Sequence, residues 1–331
     1  MSRNLRIAKL SFRLSNVATF SFVALAAFAA LASTASVACT VTTNDSADGG
    51  ARGSDGGIGT DDGGGADGGS AADGGGSSSG DGGANAMGSI NVGQSVTGAS
   101  VRYDIGASFG KFGAPASGGP TCTSKKIGSC TALVCDNIGG DAGAPPNITT
   151  TSAGDITITS SGGASVVLSF DGATKRYASK TGATAFFAAG DTLTATAAGA
   201  DVPAFGGKTV VAPAEIVLTA PTCTGTQCDP IDRTMDLAVT WSGGGAGKVQ
   251  FTLEALGASK LSTVSCYFDA SAHAGTVTAE ALSTLLVVDG TSVQGIEIVF
   301  PVNEMKFTAG DYPVTFSAQT TGTEGFFTTS K

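Results

Sequence analysis

Seven cysteines are the residues with the clearest capacity for chemistry in this chain of 331 residues. Without Cys39, an even set remains that can pair fully in an oxidising compartment: Cys122, Cys130, Cys135, Cys223, Cys228 and Cys266. Cys223 and Cys228 enclose four residues and form the easiest local pair, which leaves three ways to pair the other four. A zinc site is the alternative, but C-x₂-C spacing is absent and the chain has one histidine. We therefore predict structural disulfides and no metal site.

Catalytic candidates are few. His273, the single histidine, lies in a loop of small residues, and no serine or aspartate is marked as its partner in a catalytic triad. Ser108-x-x-Lys111 and Lys180-Thr181-Gly182 match two motifs of penicillin-binding proteins. Those proteins place Ser-x-x-Lys at the start of a helix, whereas Ser108 falls on the polar face of a predicted strand. We predict no catalytic residues and no cofactor; a hydrolase without recognisable motifs is the least favoured alternative.

An acidic cluster, Asp229, Asp232 and Asp236, stands out in the segment CDPIDRTMD. The Asp-Pro step at 229–230 is typical of a turn, so a loop is the first interpretation. Calcium prefers several carboxylate and carbonyl oxygens, so a calcium site is the alternative.

The N-terminus has the layout of a secretory signal over residues 1–38. Basic residues up to Arg13 precede an apolar run, Val17–Ala32, and then small residues up to Cys39. Ser36-Val37-Ala38-Cys39 resembles the lipobox of bacterial lipoproteins, in which the cysteine is acylated, although leucine is usual where Ser36 stands. An ordinary signal-peptidase site and an uncleaved anchor are the alternatives. We predict that acylated Cys39 anchors the chain in a lipid bilayer, with the outer membrane favoured over a soluble periplasmic form.

Charge and composition define the segment that follows. Loss of the four basic leader residues would take the net charge from −9 to −13, and the chain has no basic patch to neutralise nucleic-acid phosphates. Residues 39–87 repeat Asp-Gly-Gly, for example at 48–50, 55–57, 67–69 and 81–83. This composition predicts a disordered tether, whose root-mean-square span is roughly 35–40 Å for a Gly-rich coil.

Residues 88–331 predict an all-β domain. Val101, Tyr103, Ile105, Ala107 and Phe109 alternate with polar or small residues, as in a half-buried strand. Further strands are predicted at 155–160, 165–170, 191–197, 215–219, 261–268, 295–300, 304–307 and 312–318. Residues 235–241 and 249–256 predict a hairpin with a glycine-rich tip, and 278–285 predict one short helix capped by Thr278. We expect a β-sandwich of short antiparallel strands, either one domain or two lobes that divide near 213–220.

The whole layout resembles uncharacterised lipoproteins of myxobacteria and related Gram-negative bacteria, and the familiar stretches are SAGDITITSSG, GDTLTATAAGADVPAF, MDLAVTWSGGGAGKVQFTL and SCYFDASAHAGTVTAEAL. That resemblance implies location and fold but no activity. We expect a cell-envelope lipoprotein, not an enzyme, whose β domain has a structural role or binds a cell-surface or matrix component. A calcium-dependent adhesion module is the alternative.

Overall fold

The computed structural model describes residues 85–97, 99–113, 121–138 and 148–330. The predicted signal peptide, Cys39 and nearly all of the tether lie outside these ranges. In chain order, the first eleven strands are β1 (Asn85–Thr97), β2 (Ser100–Phe112), β3 (Thr121–Ile127), β4 (Cys130–Asp136), β5 (Ile148–Thr150), β6 (Ile156–Ser160), β7 (Ser165–Leu168), β8 (Phe170–Asp171), β9 (Arg176–Tyr177), β10 (Lys180–Gly182) and β11 (Thr192–Ala197).

The remaining strands are β12 (Phe205–Val211), β13 (Ile216–Ala220), β14 (Cys223–Thr224), β15 (Gln227–Cys228), β16 (Leu237–Gly243), β17 (Lys248–Leu256), β18 (Lys260–Asp269), β19 (Ala274–Val277), β20 (Gln294–Ala309), β21 (Tyr312–Gln319) and β22 (Thr323–Phe326). Helical residues in the described ranges are confined to a 3₁₀ turn, Ala270–Ala272, and one turn of α-helix, α1 (Ala279–Leu282). The all-β prediction is confirmed. None of the described helical residues belongs to a helix long and apolar enough to cross a membrane.

One large sheet organises the molecule. Its main path runs β10-β2-β1-β21-β20-β17-β18-β4-β3, and β5, β14, β15 and β22 pair at its sides. Smaller sheets, β12-β11-β6-β7 and β13-β16-β19, contribute to two separate cores against it. Most pairs are antiparallel as predicted, but β1 runs parallel to β21 and β15 runs parallel to β22. β1 begins at Asn85, three residues before the domain start expected from composition.

Two hydrophobic cores lie along the large sheet. The first joins Ile105 and Phe316 of that sheet to Ile158 of the four-stranded sheet. The second joins Phe251 of the large sheet to Trp241 of the three-stranded sheet. The Trp241 ring stacks on Phe268 with centroids 6.2 Å apart, and its Nε1 donates to the Ala270 carbonyl at 3.0 Å. The indole therefore ties the two layers of the second core together by apolar contact and by a hydrogen bond.

The predicted hairpin across the glycine-rich tip is wrong. β16 pairs with β13 and β19, whereas β17 pairs with β18 and β20, so the segment 243–247 carries the chain from one sheet to another. Gly243, Gly244 and Gly247 all have positive φ, which glycine adopts without the clash of a Cβ atom. The glycines thus permit a change of layer rather than a turn between paired strands.

The predicted helix is present but shorter. It begins after Thr278, whose side chain accepts a hydrogen bond from the Ala281 amide at 3.3 Å, as expected for an N-cap. Ala281 and Leu282 are buried in the second core. The α-helical hydrogen bonds end with the one from the Ser283 amide to the Ala279 carbonyl. The amides of Thr284 and Leu285 donate to carbonyls three residues earlier, as in turns.

Candidate functional site

The residues considered for catalysis lie in three different environments. His273 is exposed in a left-handed conformation, and its backbone carbonyl accepts the Trp241 amide at 3.2 Å. Ser108 is exposed on β2, within an extended strand and not at the start of a helix. Lys180, Thr181 and Gly182 form β10, which pairs with β2 at residues 103–105. Ser108 and Lys180–Gly182 are therefore both in strands, unlike the arrangement in penicillin-binding proteins.

The carboxylates of the acidic cluster accept hydrogen bonds at separate places. Asp229 Oδ2 accepts the Thr222 amide at 3.0 Å, and Asp236 Oδ1 accepts the Ala279 amide at 2.7 Å, beside the start of α1. Asp232 Oδ1 accepts both the amide and the hydroxyl of Thr234. The Asp232 bonds close a local Asx turn, as expected of an aspartate in a loop, whereas Asp229 and Asp236 accept amides 7 and 43 residues away along the chain. The three do not form a group with all ligand atoms within 4.8 Å of one another.

All six predicted disulfide cysteines are paired, as Cys122–Cys135, Cys130–Cys266 and Cys223–Cys228. Cys223–Cys228 is the local pair that the short loop favoured. Each disulfide joins residues that stand directly opposite each other on neighbouring antiparallel strands. The register of strand pairing therefore decides which cysteines meet.

One of these disulfides lies beside a buried carboxyl group. Among the described residues, Cys223, Cys228 and Glu297 form the single group of three potential metal-ligating side chains whose ligand atoms lie within 4.8 Å of one another. Glu297 Oε1 is 4.0 Å from Cys223 Sγ. A disulfide sulfur carries no hydrogen, so this is a contact and not a hydrogen bond to the carboxyl group.

The strands bring this group together by register. β14 and β15 form the short hairpin that holds the disulfide, and β15 pairs with β22 at Gln227 and Phe326. β22 in turn pairs with β20, where Gly325 stands opposite Glu297. A Cβ atom added to Gly325 would collide with Cys228 Sγ, so the absence of a side chain at 325 lets the disulfide lie next to Glu297.

Glu297 is an unusual residue for this position. It is 1% exposed, and its Oε2 has no hydrogen-bond partner. Burial, reinforced by the negative charge of Asp229, raises the pKa of Glu297 to about 7. The carboxyl group is therefore largely protonated below neutral pH, and it is held beside two sulfur atoms.

Glu297 was not predicted from the sequence, because the alternation of apolar residues along β20 suggests that Glu297 lies on the solvent face. Ile296, Ile298 and Phe300 form an apolar series that suggests the buried face, which would place Glu297 in solvent. In the structure these three are half-buried on the opposite face, and Glu297 is on the core side. Gly325, whose missing side chain leaves room for the disulfide beside Glu297, was the available signal.

The chemistry open to this group depends on the oxidation state of its sulfurs. As a disulfide, the two sulfurs cannot serve as thiolate ligands or nucleophiles. After reduction, two thiols and a carboxyl group would face one another, a set that can transfer protons.

Comparison with known proteins identifies no family for this chain. No protein-family model matches the chain, and no curated protein matches it significantly. The resemblance to myxobacterial lipoproteins therefore rests on the sequence stretches quoted above.

Proposed function

We propose that this chain is an exported lipoprotein of the cell envelope, which presents a disulfide-bonded β domain on a flexible tether. The observation that carries the proposal is the pairing of the cysteines. The six in the described domain are all used in disulfides, so Cys39 is the one cysteine of seven outside this set. Structural disulfides are typical of exported proteins, and a lipid anchor accounts for an additional cysteine at the end of a signal-like segment.

A structural or surface-binding role is supported by the outer face of the large sheet. Tyr267 of β18, Gln250 of β17 and Phe300 of β20 are directly opposite one another in register, so they form a row on one face. Tyr267 is 39% exposed, and the other two are half-buried. Aromatic side chains with a polar neighbour are common in binding surfaces, which favours contact with a cell-surface or matrix component.

The anchor is tested by metabolic labelling with a clickable fatty acid. We expect label on the wild-type chain in the membrane fraction and none on Cys39→Ala, because the acylated sulfur is then missing. Cys39→Ser is the matched control, because it replaces the sulfur atom and keeps a side chain of similar size. Ser36→Leu, which restores the usual lipobox residue, should retain the label. A wild-type chain that is secreted unlabelled, with its mature N-terminus at residue 39, would rule out the anchor and support ordinary signal-peptidase cleavage.

A further inference from the structure

We propose that the Cys223–Cys228 disulfide is a reducible site for thiol–disulfide exchange with an external dithiol, and that Glu297 donates the proton which the released thiolate takes up. This proposal goes beyond the envelope function and does not depend on the lipid anchor.

The first support is the placement of a buried acid beside one disulfide. Among the described residues, Cys223–Cys228 is the single disulfide with a carboxyl oxygen within 4.8 Å of both sulfurs. The other two disulfides join β3 to β4 and β4 to β18 without such a group. They share the cross-strand arrangement and the same chain, and so they serve as internal controls.

The second support is the unfulfilled hydrogen bonding of Glu297. Leaving a buried polar atom unpaired destabilises the fold, and Glu297 Oε2 has no hydrogen-bond partner while the disulfide is closed. Reduction would supply two S–H groups within reach of the carboxyl group. The open form thus provides hydrogen bonds that the closed form lacks.

The third support is that the hairpin does not depend on its disulfide to stay in place. Across the mouth of the hairpin, the Asp229 amide donates to the Thr222 carbonyl at 2.9 Å, and the Thr222 amide donates back to Asp229 Oδ2. At the tip, the Phe326 amide donates to the Thr226 carbonyl at 2.7 Å. These bonds remain when the sulfur–sulfur bond is broken, so the sulfurs can separate without local unfolding.

The two sulfurs differ in access. Cys223 is half-buried, whereas Cys228 is 3% exposed and belongs to the second core. An external thiolate therefore reaches Cys223, and Cys228 becomes the leaving group next to the acid.

An external thiolate attacks Cys223 Sγ, the sulfur–sulfur bond breaks, and Cys228 leaves as a thiolate that takes the proton of the neutral Glu297 carboxyl group. The second thiol of the same external dithiol then attacks the dithiol's first sulfur, which is bonded to Cys223 in the mixed disulfide. Cys223 is released as a thiolate and is protonated from solvent. The external dithiol is oxidised to a disulfide and provides both electrons, and Glu297 regains its proton from solvent.

Among the residues that the structure describes, one other charged group acts on Glu297. Asp229, in the loop after β15, raises the pKa of the carboxyl group. On the neighbouring strands, Leu253 of β17 and Gly325 of β22 stand opposite Glu297, and neither is titratable. The protonation of the site is therefore set by Glu297 under the influence of Asp229.

The test is the rate of disulfide reduction in the full-length folded chain, after Cys39 and any other free thiols are blocked with N-ethylmaleimide. Dithiothreitol is added between pH 5.5 and 8.5, newly formed thiols are trapped by a second alkylating agent, and mass spectrometry assigns them to each cysteine. Wild type is compared with Glu297→Gln. The ratio of the two rates cancels the ionisation of dithiothreitol.

We expect Cys223–Cys228 to open before the other two disulfides. The ratio of wild-type to Glu297→Gln rates should be at least about tenfold at pH 5.5–6, a threshold set below the roughly 10²–10⁴-fold typical of general acid catalysis, and should fall toward one above pH 8. Glu254→Gln is the matched control, because burial raises the pKa of Glu254 as well, but this residue lies on the opposite face of the sheet. Its rate ratio should stay near one at every pH.

Two results would overturn the proposal. One is a rate ratio of one at all pH values for folded Glu297→Gln. The other, which needs no variant, is opening of Cys223–Cys228 in the wild-type chain only together with the other two disulfides, since that pattern indicates reduction by global unfolding.

Discussion

Glu297 places a carboxyl group in the second core at a cost that depends on pH. Since burial raises the pKa of Glu297 to about 7 from an ordinary 4.5, the folded chain holds this proton more tightly than the unfolded chain does. Its contribution to stability is therefore fully present below about pH 4.5 and is lost as the pH rises through about 7. Burial also raises the pKa values of Asp104, Glu254 and Glu324, so their contributions to stability depend on pH with the same sign.

At the residue scale we predict that wild type loses stability between pH 5 and pH 8, and that Glu297→Gln loses less. The difference between the two chains should be up to about 3 kcal/mol, because a pKa unit corresponds to about 1.4 kcal/mol. Urea unfolding with the disulfides formed, at both pH values, measures it. Glu254→Gln is the control, because Glu254 is a half-buried acid without sulfur neighbours. Parallel pH dependences in wild type and Glu297→Gln would show that Glu297 is ionised in the folded chain at pH 5.

β20 and the segment 243–247 differ from what their sequences suggest, and both differences follow from the neighbouring strands. β20 runs unbroken through Pro301, although the sequence predicts two separate strands at 295–300 and 304–307. Along one side of β20, pairing with β22 ends at Val299 and pairing with β21 starts at Val302, so the missing N–H of proline falls in a gap between partners. The segment 243–247, in the same way, needs glycine because it changes layers.

At the element scale we predict that Gly243→Ala destabilises the fold by about 1–3 kcal/mol, the usual cost of a side chain in a strained backbone conformation. Gly243 has φ of 76°, and an added Cβ would lie 2.7 Å from the Glu215 carbonyl oxygen. Gly206→Ala in β12 is the matched control, because open space surrounds its Cβ position, and it should change stability by less than about 0.5 kcal/mol. Urea unfolding compares the two, and equal losses would contradict the assigned role of Gly243.

At the scale of the whole molecule, the chain builds its two cores from segments that are distant in sequence. The second core takes most of its residues from Ile216 onward, but Ile127, Cys130 and Ala132 reach it from the β3–β4 hairpin. The first core is completed by β21, close to the end of the chain. A division near 213–220 therefore separates much of the two cores without separating the sheet that both share.

The Cys130–Cys266 disulfide spans this arrangement, with a sequence separation of 136 against 5 for Cys223–Cys228. We predict that Cys130→Ala with Cys266→Ala lowers the free energy of unfolding by about 5 kcal/mol, and Cys223→Ala with Cys228→Ala by about 2 kcal/mol, because longer loops lose more entropy on closure in the chain-entropy model. Urea unfolding of both double variants tests this ranking. A larger loss of free energy of unfolding in the Cys223→Ala, Cys228→Ala variant would show that local packing, and not loop entropy, determines the stabilisation.

The sequence by itself determined the all-β class, the N-cap at Thr278, the use of six cysteines in disulfides and the local Cys223–Cys228 pair. These features depend on residue type, on short-range alternation and on loop length, all of which are visible along the chain. Only the tertiary structure decided the partners of Cys122, Cys130, Cys135 and Cys266, the layer change at 243–247 and the burial of Glu297. Those outcomes depend on which strands become neighbours and in which register, because a shift by one residue turns every side chain to the other face of the sheet. The site at Cys223, Cys228 and Glu297 belongs to this second class, because β20, β22 and the β14–β15 hairpin meet only in the folded molecule.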